Sequence, residues 1–207
     1  MVQSASRHIY LGSRSPRRRE LLKQIGVSYE VLLLREGPQR SPDFDETPLT
    51  GEAGDGYVLR IAQAKVDAGW DRLGQRRLIR FPILSADTTV AIDGEILGKP
   101  VDPEQAMAFL RQLSGKTHQV YTAVAIRFDN RLEVALSTTQ VELRELEEQE
   151  IRQYVASGES RDKAGAYAIQ GRAAVFVRAI SGSYTGVMGL PLYETSQLLA
   201  KFGHPAL

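Results

Sequence analysis

The sequence predicts an α/β fold built on a mixed sheet, and two observations predict it. Strand-type and helix-type segments alternate from an opening strand-helix-strand unit onward, which implies parallel crossovers. Hairpin signals stand beside those units, which implies antiparallel neighbours in the same sheet. The 207 residues, 43% of them hydrophobic, are enough for a sizeable core.

The elements follow in order. "HIYLGS" reads as a short strand running into a helix that starts at Pro16, with Ser15 as N-cap, Leu21, Leu22 and Ile25 on one apolar face, and Gly26 where a C-cap glycine belongs. "SYEVLLL" is the next strand. Residues 35–56, rich in proline, glycine and acids, read as an exposed loop that covers a cleft. "YVLRIAQAKVDAGWDRL" has helical spacing at Val58, Ile61, Ala62, Lys65 and Val66. "RFPILSADTTVAIDGEILGKP" then gives a strand whose polar end is Ser85 to Thr89, followed by a hairpin-like turn at Asp93 and Gly94. Asp102, Pro103 and Gln105 open an amphipathic helix with a capping-box-like pattern that ends at Gly115. "THQVYTAVAIRF" and "LEVALSTTQVELREL" have strand character, and "EEQEIRQYVASG" is helical. Short strands are expected at "AAVFVRAI" and "SYTGVMG", before a final helix from about Leu192 to Phe202.

Composition removes several function classes. Lys and Arg number 26 against 25 Asp and Glu, so no global field of the kind used by a general nucleic-acid or anionic-membrane binder exists, and any anion site is local. The absence of Cys removes disulfides, zinc-thiolate sites, iron-sulfur clusters and cysteine nucleophiles, and fits a reducing cytoplasm. No apolar run approaches the roughly 20 residues of a membrane span. The expectation is a soluble, cytoplasmic protein, and a homodimer is compatible with it.

Four clusters can carry chemistry. Arg17, Arg18 and Arg19 occupy the first turn of a helix, where the macrodipole is already positive and each cation is unfavourable by roughly 0.3 to 1 kcal/mol. A polyphosphate bound there, with the hydroxyls of Ser13 and Ser15, reverses the sign of that cost; the plainer reading is a solvated basic turn. In "SADTTVAIDGEILGKP", Asp87 is placed to hold a metal ion or take a proton from water, against an Asx-turn role, while Lys99 sits in a turn between Gly98 and Pro100 as a fixed point charge or an exposed lysine. Lys65, beside the apolar face of its helix, reads as a snorkelling side chain or a ligand contact. In "DKAGAYAIQGRAAVFV", Gly165 and Gly171 allow close backbone approach, and Gln170 offers an amide suited to a base edge, against a tight packing corner. His8, His118 and His204 have no triad or zinc spacing and receive no role.

Taken together, "LGSRSPRRRELL", "AKVDAG", "SADTTVAIDGEILGKP", "LSGKTHQVYTAVAI" and "DKAGAYAIQGRAAVFVRAISGSYTGVMGLPLYET" resemble the Maf family of nucleoside triphosphate pyrophosphatases, from about Tyr10 to Leu199. The segments around Gln170 and "GSY...GLPL" resemble its dTTP/UTP branch more than its 7-methyl-GTP branch. The resemblance implies one domain over residues 1–207, an elongated mixed sheet with flanking helices and a central cleft between two lobes, similar to the inosine triphosphatase fold. It implies hydrolysis of a nucleoside triphosphate to monophosphate and pyrophosphate with a divalent cation, Mg²⁺, Mn²⁺ or Co²⁺. By the same resemblance Asp87 is the proton acceptor, Arg17, Thr88 and Gln170 set substrate specificity, and Ser13, Arg18, Lys65 and Lys99 contact phosphate or assist catalysis. Where the family carries an acidic segment after the second strand, this chain reads "VLLLREGPQRS", and Glu36 is the nearest carboxylate to join Asp87 on the metal. Two further readings are a nucleotide-binding regulator of cell division or septum formation, and a pyrophosphatase for modified nucleotides. Nucleic-acid binding has no support, because aromatic and basic residues do not interleave.

Overall fold

A computed structural model describes residues 8–35 and 42–206. β1 (His8–Leu11), α1 (Pro16–Gln24) and β2 (Ser28–Val31) form the expected opening unit, with β1 and β2 parallel. The long helix α2 (Gly54–Gln75) leads into β3 (Ile83–Ile92), which turns back as β4 (Glu95–Leu97). α3 (Pro103–Leu113), β5 (Thr117–Phe128), β6 (Arg131–Leu143) and α4 (Glu148–Ala156) follow. Two 3-10 turns, Ala164–Ala166 and Arg172–Phe176, precede β7 (Val177–Ser181), α5 (Tyr184–Met188) and α6 (Leu192–Lys201). The sheet has seven strands in the order β2-β1-β3-β5-β6-β7, with β4 beside β3. β1 is parallel to β2 and β3, and the remaining pairs are antiparallel, so the sheet is mixed as predicted.

Alternation along the central strands assigns the two faces. Ile83, Ala123 and Ala125 pack with Val58, Ala62, Val66 and Leu73 of α2, whereas Leu84, Ala86, Val124 and Ile126 pack with Leu21 and Leu22 of α1 and Leu198 and Leu199 of α6. A third cluster gathers α3, α4 and the far ends of β3, β5 and β6 around Val90, Leu110, Val120, Ile151 and Phe176.

The structure corrects several local expectations. Ser85 to Thr89 is not the polar end of a strand but the middle of β3, because every one of these residues pairs with β5, from Ser85 opposite Ala125 to Thr89 opposite Tyr121. That pairing outweighs the weak strand preference of the polar residues. "SYTGVMG" is helical: Ser183 accepts from the Gly186 N–H at 3.0 Å and caps α5, so a local hydrogen bond overrides the strand bias of Tyr, Thr and Val. Of "AAVFVRAI", only the part from Val177 reaches β6. Asp93 and Gly94 form the expected tight turn, both with positive φ.

Asp102 caps α3 by accepting from the Gln105 N–H at 2.7 Å, but Gln105 reaches the Val101 N–H instead of returning to Asp102, so the box is only half closed. Asp102→Ala is expected to lower stability by about 1 kcal/mol, the usual value of an N-cap, as read from the urea midpoint at unchanged slope. An unchanged midpoint would show that the cap contributes nothing.

Candidate active site

One feature of the sheet makes room for a cleft. β3 has β1 as its neighbour at Ile83 and Leu84 and β4 at Val90 to Ile92, and between these ladders Ser85 to Thr89 are paired on the β5 side. A cavity of about 600 Å³ opens there, lined by Asp87 and Thr88 of β3, Lys65 of α2, the start of α1, Lys99, and the segment 162–170. This volume lies within the usual range for small-molecule sites.

Asp87 and Thr88 are adjacent, so their side chains leave opposite faces of the strand. Asp87 takes the α2 face, where Lys65 Nζ donates to its Oδ1 at 2.7 Å in a buried pair. Thr88 takes the α1 face, where Arg18 donates to its hydroxyl at 3.3 Å. Thr88 is further linked to the Thr122 hydroxyl at 2.9 Å, which lies 2.8 Å from the Gly186 carbonyl. Residues next to each other in sequence thereby tie two helices on opposite sides of the sheet to one cleft.

Lys65 is 6% exposed and does not snorkel. Its ammonium also meets Glu46 Oε1 at 2.9 Å, and the Phe44 ring lies 5.3 Å away. Burial pulls the Lys65 pKa down, but Asp87 and then Glu46 outweigh it, so the pKa is raised. For Glu46, burial acts upward, while Lys65, Lys99 and Arg18 act downward and hold it below the ordinary carboxylate range. Two carboxylates thus flank one buried ammonium.

Glu46 is the residue that sequence reasoning missed. Glu36 lies outside the described residues, and the carboxylate that the loop brings to the cluster comes from "DFDETP", ten positions further on. The described part of that loop is anchored, and its last residues, from Gly54, already belong to α2: Asp43 bonds Arg72 at 2.8 and 3.1 Å and Arg35 at 3.1 Å, which directs the following residues over α2. The available signal was the acid pair Asp45-Glu46 just before Pro48 and the helix start.

The arginine turn divides. Arg17 donates to the Met188 carbonyl at 3.2 Å and Arg18 to the Gly189 carbonyl at 2.7 Å, so both meet the C-terminal end of α5, where cations are favourable. Arg19 turns instead to the Arg14 carbonyl at 3.4 Å. Burial lowers the pKa of Arg17. Ser15 is the N-cap of α1 but makes no side-chain cap bond; its backbone N–H donates to Ser13 Oγ at 3.2 Å, and the same Oγ accepts from Arg18 at 3.3 Å.

The structure brings Ser13, Arg17, Arg18, Lys65, Asp87, Thr88, Lys99 and Gln170 to this one cleft. Lys163 is a further cation on its wall, with its pKa lowered by burial and by Arg17. Among the described residues no group of three or more His, Cys, Asp or Glu forms a preformed cation cage. Asp87 and Glu46 still fit a hard cation of the kind that takes one or two carboxylates, keeps waters and completes its shell with substrate phosphates. Among the described residues, no helix is long and apolar enough to cross a membrane.

The family described as Maf-like protein matches residues 8–202. The chain is 56% identical over 203 residues, 98% of each protein, to the dTTP/UTP pyrophosphatase of Nitrosomonas europaea. It is 56% identical to the protein of the same name from Aromatoleum aromaticum, over 95% of this chain and 96% of that one. The Staphylococcus aureus Ham1 protein aligns with a TM-score of 0.43 at 18% identity, over 66% of this chain and 71% of that chain.

Proposed function

The chain belongs to the Maf-like protein family, and from that membership we propose that it hydrolyses dTTP and UTP to the nucleoside monophosphate and pyrophosphate. The observation that carries this reading is the buried Lys65–Asp87 pair, with the partly exposed Glu46 on the same ammonium, lining one cleft with Arg17 and Arg18. The reading takes the chain as one domain whose two lobes meet at this cleft.

A nucleoside triphosphate carries about four negative charges, and water attack at the α-phosphorus adds charge to the oxygens around it, so stabilisation is mainly electrostatic. Arg17 and Arg18 bind the phosphate tail beside the start of α1. Lys99, exposed and without a hydrogen bond or ion pair among the described residues, supplies a point charge at the scissile linkage, and Lys65 holds Asp87 in its orientation. Asp87 takes the proton of the attacking water. Asp87 and Glu46 would hold a divalent cation such as Mg²⁺, Mn²⁺ or Co²⁺, which when bound polarises the phosphate oxygens. Pyrophosphate leaves without a strong general acid. Gln170 reads the pyrimidine edge, and Thr88 fixes Arg18 against the strand.

Product analysis with UTP, dTTP, CTP, GTP and 7-methyl-GTP, with and without Mg²⁺ or Mn²⁺, tests this. Metal-dependent pyrophosphate release from UTP and dTTP is expected. Tight binding of these nucleotides without turnover would replace the enzyme by a nucleotide-binding regulator.

A further inference from the structure

The segment that carries Gln170 has little regular structure of its own. It runs from Tyr167 through a turn, in which the Gly171 N–H bonds the Ala168 carbonyl at 3.0 Å, into the 3-10 turn at Arg172. Gln170 itself is exposed, so its side chain cannot be fixed by packing. Something else must hold its backbone.

Two side chains behind the segment do so. The Tyr154 hydroxyl, on α4, accepts from the Ala168 N–H at 3.2 Å and lies 3.2 Å from Glu159 Oε1. Because a carboxylate only accepts, the phenolic proton goes to Glu159. The other oxygen, Glu159 Oε2, accepts from the Arg172 N–H at 3.1 Å. Backbone donors on both sides of Gln170 thus end on one Tyr–Glu pair. Gly171 completes the fit, since a Cβ there would collide with the Glu159 carboxylate. Tyr154 is 4% exposed and its ring meets Phe176 edge-on at 5.3 Å, which leaves the hydroxyl little freedom.

We propose that Tyr154 and Glu159 are positioning residues for base selection, setting where the Gln170 amide stands in the cleft without touching substrate. The proposal rests on the reading that Gln170 faces the base of a pyrimidine nucleoside triphosphate. It adds that selectivity is set from behind the segment, by a tyrosine hydroxyl and a carboxylate outside the cavity wall.

The test compares the wild type with Tyr154→Phe, Glu159→Ala and Glu159→Gln. Kinetics on UTP and GTP are measured with inorganic tripolyphosphate as an inhibitor that engages the phosphate half of the cleft alone. Tyr154→Phe and Glu159→Ala are expected to raise KM for UTP about tenfold, the scale of one lost hydrogen bond at about 1.4 kcal/mol. The UTP-to-GTP ratio of kcat/KM should fall by a similar factor, with tripolyphosphate inhibition unchanged. Glu159→Gln keeps an acceptor for Arg172 and should stay near wild type. An unchanged UTP-to-GTP ratio in both Tyr154→Phe and Glu159→Ala, or a rise in the tripolyphosphate constant parallel to KM, overturns the proposal. Glu159→Ala alone decides if Tyr154→Phe does not fold. A wild type that releases no pyrophosphate from UTP removes the functional reading and this proposal with it, whereas wild-type turnover with unaltered ratios removes only the proposal.

Discussion

Asp87→Asn is expected to lower turnover on UTP by about 10² to 10⁴-fold, the usual scale for loss of a general base. The substitution preserves shape and leaves Lys65 an amide oxygen to bond, while Glu46 remains 2.9 Å from the same ammonium. The buried charge therefore keeps a partner, and the large penalty for stranding one member of a buried ion pair, about 3 to 5 kcal/mol, is mostly avoided. KM should change less than kcat, because Arg17 and Arg18, the proposed phosphate contacts on the opposite face of β3, are untouched. Lys65→Met is the informative partner variant: it leaves Asp87 and Glu46 facing each other without the cation, so it should lose both stability and activity. Full activity in Asp87→Asn at wild-type melting temperature would remove Asp87 as the base and leave the cluster a structural ion pair.

How much of this site was legible in the sequence depended on whether its cause was local. The helix at Pro16, the turn at Asp93 and Gly94, and the Asp102 cap follow from residues within a few positions of one another. Asp87 was legible as a functional candidate but misplaced at a strand end, because the partner that carries β3 through its polar stretch is β5, more than thirty residues away. Lys65 looked like a snorkelling residue for the same reason: only the fold brings Asp87 and Glu46 to either side of its ammonium. The carboxylate of the loop was sought beside the second strand, at Glu36, whereas the salt bridges of Asp43 to Arg35 and Arg72 steer Glu46 into place. The puzzle of cations at the positive end of α1 has a similar answer. Two of the three arginines lie against the negative end of α5, a helix that read as a strand.

His118, which had no role in the sequence reading, carries a prediction about acid stability. It is fully buried on β5, with Nε2 2.8 Å from the Tyr167 hydroxyl and Nδ1 without a hydrogen-bond partner among the described residues, so burial pushes its pKa down to about 4. In the unfolded chain the same imidazole titrates near its ordinary value of about 6.5. Between these two values the unfolded chain binds the proton and the folded one does not, so stability falls as pH falls below about 6.5 and the effect levels off near pH 4. The whole difference corresponds to about 3 kcal/mol, of which about 2 kcal/mol is already lost at pH 5. Carboxylates such as the half-buried Glu52 and the exposed Glu148, held down to about 2 by Arg60 and by Arg111, destabilise the fold only at lower pH and cancel when two variants are compared. Urea unfolding of the wild type and His118→Gln at pH 7 and pH 5 isolates the effect. The wild type should lose about 2 kcal/mol more than the variant between the two pH values, and parallel losses would mean that His118 takes up its proton without unfolding.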